Sequence, residues 1–320
     1  MDKTKLIIDC DAGIDDAQAI MLALARPDAE VLAIACVSGN TEVDHVCRNV
    51  LRILTICDHI EIPVYRGCTK ALVDHGKHAK FYHGLDGLCD LDGLPEVNMN
   101  LIQTEHASCA MNRIVGENQG KITLVCIGPL TNVAVALRLN PDFGKQLKKC
   151  VIMGGNTEGQ GNIEDGSAAE FNFHFDPEAA YMVLHELSCP ITTFSWEAVL
   201  QNQYPWDWLK RILNIKTSKA IFHSTILRTS LDKHNEWQFP GYSFCDPTVV
   251  AIALKETIVT KSRDVFATVE LQGRLSRGQM VSDSRNLQKT PPNVKQALEI
   301  DRDLMMEMFS SVFEERSDSK

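Results

Sequence analysis

Several features that mark secreted or membrane proteins are missing from this sequence. It contains no run of about 20 apolar residues, the length that a membrane-spanning helix requires, and no secretory hydrophobic region precedes its first predicted strand. Its 11 cysteines are odd in number and include no CxxC pair. We therefore predict reduced, mostly buried thiols rather than a disulfide framework. Together these absences predict a cytoplasmic protein without a membrane partner.

An excess of basic residues is also lacking. The chain has 32 Lys and Arg residues against 42 Asp and Glu residues, which gives a formal net charge of −10. This balance argues against nucleic acid or an anionic membrane as a partner, because both attract basic surfaces. With 320 residues, of which 44% are hydrophobic, the chain can bury a large core. The composition suits an enzyme or binding protein for a neutral or cationic small molecule.

Buried-strand and helix patterns alternate along most of the chain. Apolar runs predict strands over residues 5–11, 31–37 and 122–127, and helical apolar spacing follows each of them. This alternation predicts an α/β protein in which a doubly wound, mostly parallel sheet is flanked by helices. We predict one domain over residues 1–313 and a polar tail over 314–320.

Three other stretches carry separate predictions. Residues 69–100 are rich in Gly, Asp and His and predict a long loop, which in compact domains is usually functional or mobile. Residues 205–231 predict a mostly helical segment. Residues 294–313 predict a single amphipathic terminal helix.

Four acidic residues are concentrated where the first strand passes into the first helix: Asp9, Asp11, Asp15 and Asp16. Bringing their carboxylates together is costly unless a positive charge lies among them. Interaction with the helix dipole, worth about 0.3–1 kcal/mol, explains Asp15 or Asp16 but not the earlier pair. All-oxygen coordination suits Ca²⁺ better than Zn²⁺. We therefore predict a bound divalent cation.

Polar residues also follow the later strands. Asn40 comes after the second strand, Gly128-Pro129-Leu130-Thr131-Asn132 follows the strand at 122–127, and Gly154-Gly155 follows the next one. In open parallel sheets, ligands bind beyond the carboxyl ends of the strands. These clusters therefore predict a ligand site at that edge of the sheet.

The first acidic block resembles a family signature. Asp9-Cys10-Asp11-Ala12-Gly13-Ile14-Asp15-Asp16-Ala17 is similar to the DTDPGIDDA signature of inosine-uridine-type nucleoside hydrolases. Further blocks resemble that family in the same order along residues 5–283: Ser38-Gly39-Asn40, His83-Gly84-Leu85-Asp86-Gly87, Gly128-Pro129-Leu130-Thr131-Asn132, Met153-Gly154-Gly155, Ala169-Glu170-Phe171-Asn172-Phe173, Asp246-Pro247 and Arg277-Gly278-Gln279-Met280-Val281-Ser282-Asp283.

The resemblance implies hydrolysis of the N-glycosidic bond of ribonucleosides to ribose and a free base, in nucleoside salvage, by a homodimer or homotetramer. On that pattern one Ca²⁺ is held by Asp11, Asp16, the carbonyl of Ile127 and Asp246. Asp11 is then the general base on a Ca²⁺-bound water that attacks C1′ of the ribose.

The resemblance also implies a set of ribose contacts. They are Asp15 and Asn40 at the 2′-hydroxyl, Asn172 and Asp246 at the 3′-hydroxyl, Asn162 and Glu170 at the 5′-hydroxyl, and Met153 packed on the sugar. Taken singly, these residues also have structural explanations. Asn162 fits a turn, Met153 fits a core and Asn40 fits a helix cap.

The chain departs from the family pattern at two positions. Ala12 stands where proline is usual, a change that we expect to be tolerated. Cys245 stands where the best-known members have a histidine that protonates the departing base, so the chain is more similar to a subgroup with cysteine there. A thiol can donate a proton, or Cys245 can simply pack. His83, as a base contact, and His223 are alternative sources of help to the leaving group.

Two other functions remain open from the sequence. One is a Mg²⁺-dependent phosphohydrolase with an aspartate nucleophile after the first strand, as Asp9-Cys10-Asp11 superficially suggests. The other is a non-catalytic, Ca²⁺-dependent nucleoside or ribose binder that has lost its leaving-group acid. The patterns also leave open whether the base is a purine or a pyrimidine.

Overall fold

A ten-stranded sheet forms the centre of the protein. The computed structural model describes residues 3–73, 76–164, 166–236 and 238–314. In these ranges the strands are β1 (Thr4–Cys10), β2 (Ala29–Cys36), β3 (Val64–Arg66), β4 (Ile102–Gln103), β5 (Ile122–Cys126), β6 (Lys149–Met153), β7 (Ile191–Phe194), β8 (Val259–Val269), β9 (Met280–Asp283) and β10 (Val294–Ile300). They are arranged in the order β4-β3-β2-β1-β5-β6-β7-β10-β8-β9.

Helices cover both faces of this sheet. The described α-helices are α1 (Ile14–Ala25), α2 (Val43–Ile56), α3 (Lys80–His83), α4 (Ala107–Glu117), α5 (Thr131–Leu139), α6 (Phe143–Gln146), α7 (Phe171–Phe175), α8 (Pro177–Glu186), α9 (Trp196–Gln201), α10 (Trp206–Leu213), α11 (Ser218–Ile226), α12 (Arg228–Glu236), α13 (Asp246–Leu254) and α14 (Arg302–Ser310). One core cluster lies under α1, α2 and α13, and a second lies under α4, α5 and α8. Burial on both faces explains why the central strands are almost continuously apolar.

The strand order reverses between β1 and β5. From β1 the chain proceeds outward through β2, β3 and β4, whereas from β5 it proceeds the other way through β6 and β7. All these neighbours pair in parallel. Such a reversal leaves a crevice at the carboxyl ends of the two central strands, where open α/β proteins bind ligands. The predicted single-domain, doubly wound α/β fold is confirmed.

The last three strands of the order depart from the parallel pattern. β10 pairs parallel with β7 but antiparallel with β8, and β9 pairs antiparallel with β8. The prediction of one helix over 294–313 is therefore wrong. Pairing on both sides holds residues 294–300 in a strand, and α14 begins only after Asp301, whose carboxylate accepts a hydrogen bond from Leu304 N–H at 3.0 Å. That helix cap was the overlooked signal.

The other segment predictions are largely confirmed. Residues 69–100 are mostly irregular in the described ranges, apart from α3 and the start of a short 3₁₀ turn at Met99–Leu101. The helical prediction for 205–231 corresponds to α10, α11 and the start of α12. Within the described chain, none of the helices has both the length and the apolarity needed to cross a membrane. Of the predicted polar tail, residues 315–320 lie outside the described residues.

Candidate active site

Asp11 lies immediately beyond β1, at the point where the strand order reverses. Its carboxylate is fully buried. Oδ2 accepts a hydrogen bond from the backbone N–H of Asn40 at 2.7 Å, while Oδ1 has no hydrogen-bond partner among the described residues. A Cβ on Gly39 would lie 2.0 Å from Oδ2, so only glycine lets the loop after β2 approach this closely. The fold thus holds a buried acceptor oxygen without a donor.

Asp16 both caps the start of α1 and belongs to the candidate site. Its carboxylate accepts hydrogen bonds from the N–H groups of Gly13 at 2.8 Å and Asp11 at 3.1 Å, and from Asn40 Nδ2 at 3.2 Å. It therefore does cap the start of α1, as the simpler explanation proposed. Asp15, one residue earlier, has a buried Oδ1 without a hydrogen bond in the described chain, and His83 Nε2 lies 4.0 Å from it.

Asp15, Asp16 and Asp246 bring carboxylate oxygens within 4.8 Å of one another. Asp11 lies outside that group of three, but its backbone N–H donates to Asp16 Oδ1 at 3.1 Å, and the charge of Asp16 acts on its carboxyl group. Asp15, which the resemblance assigns to the ribose, is thus also within reach of a cation. Ile127, whose carbonyl completes the implied metal set, lines the same cavity.

Burial and mutual repulsion act together on these acids. Burial, followed by the charge of Asp16, raises the pKa of Asp11 well above its usual range. Burial and the neighbouring Asp15 charge raise the pKa of Asp16 to about 7 and that of Asp246 well above its usual range. Clustered carboxyl oxygens, two of them without partners, fit a hard divalent cation such as Ca²⁺.

A cavity of about 480 Å³ opens at this edge of the sheet, within the range usual for small-molecule sites. The predicted site residues that line it are Asp15, Asn40, His83, Ile127, Met153, Asn162, Glu170, Asn172, Cys245 and Asp246. They come from loops and helices that follow β1, β2, β3, β5 and β6, from the end of β6 and from the start of α13. The structure therefore assembles residues that are more than 200 positions apart in the sequence.

Asn172 ties two strand ends together. Its Nδ2 donates to the carbonyl of Ile127 at 3.3 Å and to the carbonyl of Met153 at 3.2 Å. The resemblance assigns the Ile127 carbonyl to Ca²⁺ and Asn172 to the ribose, and these two groups are hydrogen-bonded to each other. The amide of Asn172 and this carbonyl are close enough for one ligand to contact both.

Glu170 is held by the backbone around it. It is the N-cap of α7 and accepts hydrogen bonds from the N–H groups of Asn172, Phe173 and Gly155 at 2.8, 3.1 and 2.9 Å. Burial nevertheless raises its pKa to about 7. Asn162 Oδ1 accepts from the N–H of Phe171 at 2.8 Å. Both residues face the cavity with these acceptors already engaged.

One wall of the cavity is missing from the sequence predictions. It is formed by Lys233 and by Tyr82, Trp196, Phe239 and Tyr242; we call these four aromatic residues the aromatic wall. Tyr82 Oη lies 2.5 Å from Ser230 Oγ, and Tyr242 Oη donates to Gln18 Oε1 at 3.4 Å. Aromatic faces of this kind suit a planar heterocyclic base. These residues carry no local motif, because separate loops and helices bring them together.

The candidate leaving-group residues are placed differently. His83 Nδ1 accepts the backbone N–H of Ile14 at 3.2 Å, and burial lowers the pKa of its ring, so the ring is neutral. Burial raises the pKa of the Cys245 thiol well above its usual range, which makes it a weak proton donor. His223 is fully buried outside the cavity, with Nε2 2.8 Å from Gln18 Nε2. The suggestion that His223 assists the leaving group is therefore wrong.

Asp9 is not placed as a nucleophile. It is fully buried and does not line the cavity, and its Oδ1 accepts from Asn132 Nδ2 at 2.8 Å. Burial raises its pKa to about 8. Asp9 is therefore not placed to attack a substrate in the cavity, and Asp11 is the acid that directly follows β1.

Ala12 occupies a backbone conformation that is closed to proline. Its φ is +30°, whereas a proline ring holds φ near −65°. We expect Ala12→Pro to lower the free energy of unfolding by about 3 kcal/mol or more, and Ala12→Gly to raise it by about 1 kcal/mol through relief of strain. Urea unfolding of the three proteins tests this. A proline variant as stable as the parent would contradict the +30° conformation.

The cavity lies where the strand order reverses, and carboxylates line it. These two features place the protein in the class of doubly wound α/β enzymes that act on a small polar molecule. Comparison with known proteins then specifies the family. The sequence profile of the inosine-uridine preferring nucleoside hydrolases matches residues 6–307, and the chain belongs to this family of hydrolases.

Individual relatives are similar to this chain over most or nearly all of its length. The chain is 35% identical over 307 residues to the pyrimidine-specific ribonucleoside hydrolase RihA of Klebsiella pneumoniae (strain 342), covering 95% of this chain and 96% of the relative. It is 34% identical over 281 residues to the inosine-uridine preferring nucleoside hydrolase of Leishmania major, covering 88% of each. Among solved structures, an inosine-guanosine nucleoside hydrolase superposes with a TM-score of 0.88 at 31% identity, covering 97% of this chain and 98% of that one.

Proposed function

We propose that this protein hydrolyses the N-glycosidic bond of ribonucleosides, giving ribose and a free base. The observation that carries the proposal is the buried carboxylate cluster where the strand order reverses: Asp15 and Asp246 line a cavity of about 480 Å³, and Asp11, bonded to the cavity residue Asn40, keeps a partnerless Oδ1. Membership of the nucleoside hydrolase family supports it. The names of the relatives cover pyrimidine-specific and inosine-uridine preferring enzymes, so both kinds of base belong in the test.

Asp11, Asp16, Asp246 and the Ile127 carbonyl would hold one Ca²⁺, with Asp15 within reach of the same position. When bound, Ca²⁺ supplies the positive charge that lowers the pKa of a water molecule and offsets the repulsion among these acids.

The protein's own residues account for the remaining steps. Asp11 accepts a proton at Oδ1 from the water that attacks C1′, because this oxygen is the acceptor without an internal donor. The surrounding carboxylates stabilise the oxocarbenium-like charge that develops on the ribose. Asp15, Asn40 and Asn172 orient the sugar hydroxyls, and Asn162 and Glu170 close the 5′ side.

The first test is chromatography of inosine, uridine, adenosine and cytidine incubated with the protein. We expect release of free base that stops on addition of a chelator and returns with excess Ca²⁺. The chelator should also lower Tm by about 5 °C, because the bound ion stabilises only the folded state.

Other results would favour the alternative functions. Ca²⁺-dependent binding of nucleosides without release of base would indicate a non-catalytic binder. Phosphate release from nucleotides would favour the phosphohydrolase alternative. Base release that is unaffected by the chelator would exclude the proposed metal site.

A further inference from the structure

Lys233 gives the cavity a positive charge, opposite in sign to the acidic residues of its lining. It lies on α12 and lines the cavity beside the aromatic wall. Among the described residues that line the cavity, it is the one with an ammonium or guanidinium group, whereas Asp15, Glu164, Glu170 and Asp246 are acids. A cation with a long, flexible stem is unusual in a pocket built to favour positive charge on its ligand.

The ammonium of Lys233 is available to a ligand. In the described chain its ion pair is with Glu236, one helical turn away, at 3.2 Å. The Glu236 side chain is 64% exposed and that of Lys233 31%, so the pair is a surface contact that contributes little. Lys233 is not neutralised by the buried carboxylates, because no ion pair with them lies within 4.0 Å in the described residues.

The position of α12 places this charge on the side of the base. α12 packs on α3, which carries Tyr82 and His83, and Tyr82 bonds Ser230 of α12. The carboxylates Asp15, Asp16 and Asp246 converge at the starts of α1 and α13 instead. A nucleoside with its ribose on these acids therefore has its base directed to the aromatic wall and Lys233.

The reaction needs positive charge at that end. When the C1′–N bond breaks, its electron pair passes to the base, which acquires negative charge. His83 is a neutral ring with Nδ1 already engaged by Ile14 N–H, and Cys245 offers an uncharged thiol. Neither residue neutralises an anionic leaving group.

We propose that Lys233 binds the departing base and stabilises its negative charge, an inference that rests on the proposed hydrolysis. The oxygen of water forms the new bond to C1′, and its proton passes to Asp11. The C1′–N electron pair leaves with the base, which is held as an anion by the ammonium group and is protonated by solvent on release. No proton transfer from Lys233 is required.

The test compares leaving groups of different charge. Lys233→Met should lower kcat/KM for inosine and uridine by about 100-fold, the loss typical of one charge-stabilising donor, and Lys233→Arg should retain most of it. 7-Methylguanosine carries a positive charge on its base and leaves as a neutral base. Its rate should stay unchanged or rise in Lys233→Met. Equal losses for all three substrates would overturn the proposal.

Lys210→Met is the matched control. Lys210 also pairs with an acid three residues away, Asp207 at 3.6 Å, but its side chain is 70% exposed on α10, and it does not line the cavity. Its substitution should leave all three rates within about twofold, since exposed pairs contribute little.

A binding measurement separates this proposal from the proposed function. Urate is an anionic purine at neutral pH, whereas hypoxanthine is neutral. By calorimetry, Lys233→Met should weaken urate binding about tenfold and leave hypoxanthine unchanged. This result would support the role of Lys233 in holding an anionic base even if the parent protein released no base from any nucleoside. Equal affinity of both proteins for urate, or no binding by either, would overturn it.

Discussion

Replacing Asp11 by asparagine should lower kcat for ribonucleosides by about 1000-fold. The amide cannot accept the proton of the attacking water, and a general base of this kind contributes about 100- to 10,000-fold. The substitution preserves size and an oxygen for the Asn40 N–H, which bonds Asp11 Oδ2 at 2.7 Å. Initial rates at saturating nucleoside and Ca²⁺, with binding of nucleoside measured in parallel, test this expectation.

Asp9→Asn provides the matched control for that experiment. Asp9 is an equally buried acid near the end of β1, two residues before Asp11, and its pKa of about 8 leaves it mostly protonated at neutral pH. An amide is close in shape to this neutral acid and can still accept from Asn132. We expect kcat within about threefold of the parent, as for other near-isosteric neutral changes. Equal losses at Asp9 and Asp11 would show a general structural effect and remove the base role.

The fold could be predicted because its signals are local. The apolar runs that become β1, β2 and β5 are each followed by helical spacing, and burial on both faces leaves little alternative to a parallel sheet. The acids after β1 could be predicted to meet the polar residues after β2 and β5 for the same reason. Parallel strands end at one edge, whatever their separation along the chain.

The rest of the site depends on contacts that no local pattern records. Tyr82, Lys233 and Tyr242 come from α3, from α12 and from the loop before α13, and only the tertiary fold places them on one cavity. The helix prediction for residues 294–300 was wrong for a related reason. Their apolar spacing fits a helix as well as a strand, and pairing with β7 and β8 decides between the two.

In the proposed binding mode the cavity is electrostatically asymmetric along the bond that is to be broken. The ribose would lie at the cluster of Asp15, Asp16 and Asp246, and the base would face the wall that carries Lys233. Breaking the C1′–N bond separates charge in the same sense. Such an arrangement stabilises the transition state more than the neutral nucleoside, which is the condition for catalysis. It also removes the need for a strong acid at Cys245.

Removing the 2′-hydroxyl of the substrate should lower kcat/KM by about 10,000-fold. Asp15 Oδ1 is buried and has no donor within hydrogen-bond distance in the described chain, since His83 Nε2 lies 4.0 Å away, and the resemblance places it with Asn40 at this hydroxyl. A 2′-deoxynucleoside leaves that acceptor unpaired, and sites built around a substrate hydroxyl reject analogues that lack it by about 10,000- to 100,000-fold. Rates for uridine and 2′-deoxyuridine, and for inosine and 2′-deoxyinosine, measure the effect.

The rate penalty for a 5′-deoxynucleoside serves as the comparison for the 2′-deoxy penalty. Glu170 and Asn162 already accept backbone N–H groups, so a 5′-deoxynucleoside leaves no new buried acceptor, and we expect a loss of about 100-fold or less. A 2′-deoxy penalty below tenfold would contradict the assignment of Asp15 to the ribose. Since Asp15 also lies within 4.8 Å of the oxygens of Asp16 and Asp246, that result would assign its free oxygen to the cation instead.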